Sequence, residues 1–220
     1  MSGELDRLIN STPGLWKGGR SGAVVFRGIP TGYRELDQML PGKGWPRGVV
    51  IELMLQSIGI GELGFMLPAI RALISDQRFI MMVSPPYRPY APALMDAGLD
   101  LDSFYLLMPE SPEDGLWAAE KALLNPLCGM VLLWSDSVPG RSCGFLSDAV
   151  VRRLQVAAQA SQAILVVYRV SVRARPVRQS SWAAIRFGLS RQGGKFVIDV
   201  LRIRGTCRRG CLRLNLVGHD

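Results

Sequence analysis

The residues best suited to chemistry lie in one short stretch, Leu55-Gln-Ser-Ile-Gly-Ile-Gly-Glu-Leu63, which follows an apolar run and precedes a helical pattern. Strand, glycine-bearing loop and helix in that order frame a phosphate-binding loop. Such a loop needs bare backbone N–H groups around the phosphates, a lysine for the terminal phosphates and a hydroxyl for magnesium, in the pattern G-x-x-x-x-G-K-[ST]. Gly59 and Gly61 keep the turn, but Glu62 takes the lysine position and Leu63 the hydroxyl position. A carboxylate there sets like charges together at a triphosphate, and leucine cannot ligate magnesium. The two glycines then read as a tight strand-to-helix turn, and Glu62 as a first-turn acid favoured by the helix dipole. The loop is degenerate, and no cofactor is expected.

Other catalytic or metal-binding constellations are thin. The single histidine, His219, sits beside the C-terminus, and Cys207-x-x-x-Cys211 offers only two zinc ligands with His219 nearby as a third. No G-x-S-x-G nucleophile motif occurs. Four cysteines without a framework spacing point to a reducing compartment and not to disulfides. Trp117, at helical spacing with Leu116, Glu120 and Leu124, reads as core.

Charge is unevenly placed. The chain carries a formal +8, and between residues 169 and 213 stand Arg169, Arg173, Arg175, Arg178, Arg186, Arg191, Lys195, Arg202, Arg204, Arg208, Arg209 and Arg213 against one carboxylate, Asp199. Such a concentration attracts nucleic-acid phosphates or an acidic protein. It equally describes a solvated basic surface.

The elements that must position these groups follow from apolar patterning. With 220 residues, 48% hydrophobic and 20% charged, the chain is long enough for one globular domain with extensions. Apolar runs predict strands over 49–54, 79–83, 104–108, 130–134 and 163–168. Helical spacing predicts helices over 62–74, 93–97, 112–124 and 146–160, and one over Tyr33 to Leu40 with Thr31 as its N-cap. Strands apolar throughout that alternate with helices imply a parallel sheet covered on both faces. Segments 183–190 and 195–203 read as two strands joined at Gln192, Gly193 and Gly194. The start of the chain reads as an arm over 1–28 with a short helix at 4–9, an anchor at Leu15 and Trp16 and a strand at 23–26. A core over 29–170 and a basic strand pair with tail over 171–220 complete the organisation. Charges at Glu4, Asp6 and Arg7 argue against a signal peptide, and no run approaches the roughly 20 apolar residues of a membrane span. The segment rich in Pro85, Pro86, Pro89 and Pro92, with Tyr87 and Tyr90, is either a docking ridge or a stiff connection.

The segment Ile29-Pro-Thr-Gly-Tyr-Arg-Glu-Leu-Asp, running on to Trp45-Pro-Arg-Gly48, resembles the approach to RecA-family cores, and the later order of elements agrees over roughly residues 29–170. More closely, Leu15-Trp-Lys-Gly18, Trp45-Pro-Arg-Gly48, Gly59-Ile-Gly-Glu-Leu63, Pro85-Pro-Tyr-Arg-Pro-Tyr-Ala-Pro-Ala-Leu94 and Ala97-Gly-Leu-Asp100 are similar to blocks of the ImuA family. That family comprises SOS-associated companions of translesion polymerases and also takes in SulA-like division inhibitors. The resemblance implies an α/β fold with a RecA-like core, a mostly parallel sheet flanked by helices, a degenerate phosphate loop and antiparallel strands toward the C-terminus.

Aligned by element, the catalytic carboxylate of RecA ATPases falls near Pro86 and the magnesium-associated aspartate at Trp134, with Asp136 two residues on. Together with Glu62 these departures imply a pseudo-ATPase and no enzyme activity. The resemblance further implies a non-catalytic accessory protein of damage-induced translesion synthesis, in the cytoplasm and nucleoid-associated. Its expected partners are an ImuB-like Y-family polymerase homologue, RecA and single-stranded DNA, with no membrane partner. Arg173, Arg175, Arg178, Arg202, Arg204, Arg208 and Arg209 are the candidate contact surface. The alternative is a SulA-like inhibitor that caps a tubulin-like filament protein. Self-association through residues 1–28, packed on a neighbour's core as in RecA relatives, also stays open.

Overall fold

The computed structural model describes residues 28–135, 146–170, 181–206 and 210–215. Within them the chain runs through α1 (Arg34–Met39), β1 (Val49–Leu55), α2 (Glu62–Ser75), β2 (Phe79–Val83), α3 (Ala91–Asp96), β3 (Phe104–Leu107) and α4 (Pro112–Leu124). It continues through β4 (Cys128–Ser135), α5 (Asp148–Ser161), β5 (Ile164–Val170), β6 (Ile185–Gln192), β7 (Lys195–Ile203) and β8 (Gly210–Leu214). All eight strands form one sheet in the order β3-β2-β4-β5-β1-β6-β7-β8. β1 to β6 pair in parallel, and β7 and β8 are antiparallel to their neighbours. The fold is α/β with a mostly parallel sheet flanked by helices. No helix among the described residues is long and apolar enough to cross a membrane.

The apolar runs become strands because both faces of the sheet are covered, so no solvent-facing alternation is needed. Every residue of β4 is buried. On one face, α2 packs with Tyr33, Leu36 and Trp45 over Ile51, Leu53, Leu132, Val166 and Phe187. On the other, α4 and α5 cover Val50, Val131, Leu133, Leu165 and Val167. The strands predicted over 79–83 and 195–203 and the helix over 112–124 have those bounds. β8 extends the predicted C-terminal strand pair by a third strand, whereas the predicted helix at 4–9 and strand at 23–26 lie outside the described residues.

Two expectations are corrected. Thr31 does not cap α1, whose first flanking residue is Tyr33 with no side-chain cap. The Thr31 hydroxyl instead accepts from Tyr33 N and donates to Tyr33 O, both at 3.1 Å, and closes a local turn. Trp117 is 62% exposed and not core, because Gly115, Ala119, Ala122 and Leu123 form the buried stripe of α4. The Lys121 ammonium lies 5.8 Å from its ring centroid on the outer surface.

An aromatic cluster ties the N-terminal part of the core to the C-terminal strands. Tyr33 stacks on Phe65 at 5.3 Å, Phe65 meets Phe196 at 5.4 Å, and Trp45 packs against Phe65 and Phe187 at 5.9 and 6.1 Å. Trp45 is held by a two-way backbone bridge with Ile29, and burial pushes the Tyr33 phenol up to about 12. Gly32, at φ +85°, lies so close to Pro68 that a Cβ there would come within 2.5 Å of the proline ring. This contact seats the turn before α1 directly on α2.

β1 also carries a charge into the middle of the sheet. Glu52 is fully buried, with Arg186 of β6 opposite it in register and Arg169 of β5 two residues along the other flank. Arg186 Nε sits 2.7 Å from Glu52 Oε2, an ion contact whose N–H direction misses hydrogen-bond alignment. Arg169 Nη1 lies 3.4 Å from Oε1, which also accepts from Ser181 Oγ at 2.9 Å. Substituting Glu52→Leu takes the carboxylate from two buried guanidinium groups. Urea unfolding should show a loss of about 3–5 kcal/mol, and an unchanged midpoint would remove the ion cluster from the core's essential contacts.

Candidate functional site

The loop over residues 56–61 leaves β1 at the C-terminal end of the parallel strands, where open α/β sheets hold their ligands. Gln56 N extends the ladder to Leu189 O of β6 at 3.0 Å. Gly59 and Gly61 then take left-handed backbone, φ +79° and +94°, and Gly61 flanks the start of α2. A Cβ at Gly61 would stand 3.4 Å from the Phe196 ring and 3.6 Å from the Arg191 guanidinium, so the β6–β7 hairpin closes against the turn.

Glu62 opens α2 as a first-turn acid, but its carboxylate does not reach into solvent. It is buried, and Oε1 accepts from Gly59 N at 3.3 Å. The carboxylate thus takes up a backbone N–H of the kind a phosphate oxygen would use. The Tyr168 hydroxyl on β5 donates to the Glu62 carbonyl oxygen at 3.3 Å, and the Tyr168 ring stacks on Trp134 of β4 at 4.5 Å. Burial holds the Tyr168 phenol well above its ordinary value, and the Glu62 charge pushes it further the same way. The phenol therefore remains a protonated donor. Leu63 packs against the apolar core on the α2 side.

The two departures read from sequence at Glu62 and Trp134 are brought together through Tyr168, a residue that sequence reasoning missed. Its signal was a hydroxyl-bearing aromatic closing the otherwise aliphatic run of 163–168. Near Pro86, Ser84 follows β2 in left-handed backbone at φ +54°, with its N–H donated to Leu107 O at 3.0 Å. Tyr87 and Tyr90 beyond it are 74% and 72% exposed. Asp136 lies outside the described residues.

The candidate basic surface divides. Arg202 Nη1 donates to Ser181 O at 2.6 Å and Arg204 Nη2 to Trp182 O at 2.8 Å, so both exposed arginines fasten the segment that leads into β6. Arg173, Arg175, Arg178, Arg208 and Arg209 lie outside the described residues. Arg169 and Arg186, counted in the basic stretch, are not surface charges at all. They are buried against Glu52, because strands β5 and β6 flank the one acidic residue of β1.

Among the described residues no group of three or more His, Cys, Asp or Glu side chains is placed to hold a metal ion. Cys207 and His219 lie outside them. Cys211 instead faces Asp199 across β7 and β8. Its thiol is raised by partial desolvation, then by the hydrogen bond and charge of Asp199, with Arg213 opposing.

No protein-family model matches the chain, and no curated protein matches its sequence.

A raised thiol is protonated over more of the neutral-to-alkaline range and is the poorer nucleophile. Asp199→Asn should therefore lower the Cys211 value and speed alkylation of the Cys211 peptide by iodoacetamide at mildly alkaline pH. Peptide mass spectrometry would follow the rate, and an unchanged rate would remove Asp199 as a cause.

Proposed function

We propose that this chain is a non-catalytic binding protein built on a RecA-like core, an accessory factor of DNA-damage tolerance of the ImuA kind. The observation that carries the reading is Glu62 folded back onto Gly59 N in the loop after β1. The loop meets its own N–H requirement with a fixed negative charge, and the place of a phosphate is taken from within. A triphosphate brought to about 4 Å from that carboxylate would meet a repulsion of about 4 kcal/mol per charge pair at the effective dielectric of a protein surface. Leu63 brings no hydroxyl and Trp134 no carboxylate, so magnesium would not offset it.

The strand arrangement supports the RecA-like part of the reading. β1 lies inside the sheet between β5 and β6, and the loop and long helix that follow it stand at the C-terminal edge of six parallel-paired strands. The binding part rests on exposed groups. Tyr87 and Tyr90 crown the proline-rich segment at the same edge, and tyrosine is enriched at protein contacts. Arg202 and Arg204 are exposed residues, each with one guanidinium N–H given to a backbone carbonyl. The partners in this reading are an ImuB-like Y-family polymerase homologue, RecA and single-stranded DNA.

Fluorescence anisotropy with a labelled ATP analogue should show no saturable, magnesium-dependent binding, and Glu62→Lys alone should not create it. Saturable binding by the native chain would overturn the pseudo-ATPase reading. Labelled single-stranded DNA titrated across a salt series should bind with a steep salt dependence. Arg202→Gln with Arg204→Gln should flatten the slope by about 0.7 for each phosphate that is no longer neutralised, and an unchanged slope would remove these two arginines from the DNA surface. Pull-down against a polymerase-like and a tubulin-like partner then separates the two protein classes. Capture of the filament protein alone would replace this reading with that of a division inhibitor.

A further inference from the structure

The strand order leaves β3 with a neighbour on one side alone. Its Leu107 carbonyl accepts from Ser84 N at 3.0 Å, so Leu107 and Tyr105, two residues back, turn their backbone groups toward β2. The N–H and C=O of Leu106 and the carbonyl of Phe104 then point away from the sheet. Phe104 N is given to Leu101 O in the short turn that precedes the strand. Native edges are commonly guarded by a charged side chain. The other edge, β8, carries Arg213, whereas β3 reads Phe-Tyr-Leu-Leu. Tyr105 and Leu106, on opposite faces of the strand, are 52% and 43% exposed. An unpaired, uncharged strand with open positions on both faces fits a second extended segment that continues the ladder.

The charge around β3 decides which segment that is. No Lys or Arg stands between Arg88 and Lys121, the longest such interval in a chain that carries a formal +8. Asp96, Asp100 and Asp102 lead into β3, Glu110, Glu113 and Asp114 follow it, and all six are exposed. Among the described residues none of them is in a salt bridge. Asp100 accepts from Asp102 N and Ser103 Oγ, and Asp114 from Ser111 Oγ, contacts that bring no compensating charge. Arg88 stands against them beyond the end of β3, where it lines a hollow with Met108 and Pro109. Lys121 lies over the Trp117 ring on α4. A nucleic-acid backbone would be repelled at this edge, and β3 of a second copy would bring the same acids against these. Nor does β8 of a second copy match, since its base, Arg213, shares the Cys211 thiol with the carboxylate of Asp199.

We propose that β3 is a docking strand for an extended segment of another protein, apolar at its centre and with Lys or Arg on either side, which joins the sheet by backbone pairing. Its bases meet Asp100 and Asp102 before β3 and Glu110 after it. The proposal is independent of the functional reading above and uses neither the loop after β1 nor the basic stretch.

The test titrates the full chain into a fluorescein-labelled peptide in which valine and threonine alternate at the centre and two lysines or arginines stand at each end, followed by anisotropy. Saturable binding with a Kd below about 1 mM is expected, and added salt should weaken it. Leu106→Pro removes the outward N–H and leaves the ladder to β2 whole. It should raise Kd by about ten-fold or more. Asp102→Lys with Glu110→Lys, both at exposed positions, should weaken binding with the unfolding midpoint retained. A peptide with glutamates in place of its bases should then bind that double variant better than it binds the native chain, and a peptide methylated at its central backbone nitrogens should not bind the native chain. Absence of saturable binding overturns the proposal, as does binding indifferent to both variants. Sedimentation velocity of the full chain supplies the last arm, because self-association that the peptide dissolves would give this edge to a second copy and overturn it as well.

Discussion

A carboxylate in the middle of an eight-stranded sheet has to be met at close range by opposite charge, and Glu52 is met from both neighbouring strands. That requirement sets more than one contact. Because side chains alternate along a strand, a slip of one residue between β1 and β6 would send Arg186 to the opposite face, into the aromatic cluster of Trp45, Phe65 and Phe187. The charge cluster and the aromatic cluster therefore specify the same register from opposite faces of β1. Gln155 adds a third fastening at the start of that strand. Its side-chain amide accepts from Val50 N at 2.9 Å and donates to Gly48 O at 2.8 Å, which locks α5 to the strand it covers.

With β1 held in this way, the turn that follows it leads into α2 with Glu62 engaged internally. The Glu62 carboxylate takes Gly59 N–H, the Glu62 carbonyl takes the Tyr168 hydroxyl, and the Tyr168 ring rests on Trp134. A site for nucleotide chemistry has to keep such groups solvated or ready to exchange, because ligand oxygens must replace their partners. Here Trp134 and Tyr168 are packed on each other beneath the start of α2, and Tyr87 and Tyr90 are exposed beyond the end of β2.

Much of this architecture could be read from sequence because buried parallel strands are written as uninterrupted apolar runs. The segment 79–83 and the helix beginning at Pro112 are bounded by turn residues that leave little choice of register. The strand-to-helix turn after β1 was equally legible, since Gly59 and Gly61 take the left-handed backbone that glycine supplies and Glu62 opens α2. What escaped was whatever depends on neighbours remote in the chain. Nothing local tells that Arg169 and Arg186 belong to Glu52, so a count of basic residues placed them on the surface. The spacing of Trp117 fits a buried stripe, yet small residues at Gly115, Ala119 and Ala122 let α4 lie close to the sheet on a different face. The link from Trp134 through Tyr168 to Glu62 joins three elements and has no signature in any one of them.

The place of β1 also governs how the protein comes into being. Val49 pairs with Ile164 and Ile51 with Ile185, so the first of the described strands to be synthesised is the one that must wait longest for both neighbours. At translation rates of about 5–20 residues per second that wait is on the order of ten seconds, during which the apolar run of β1 and the carboxylate of Glu52 have neither flank in place. Pairing so distant in sequence meets the loop-closure cost before the sheet's contacts offset it, so the two flanks of β1 form late.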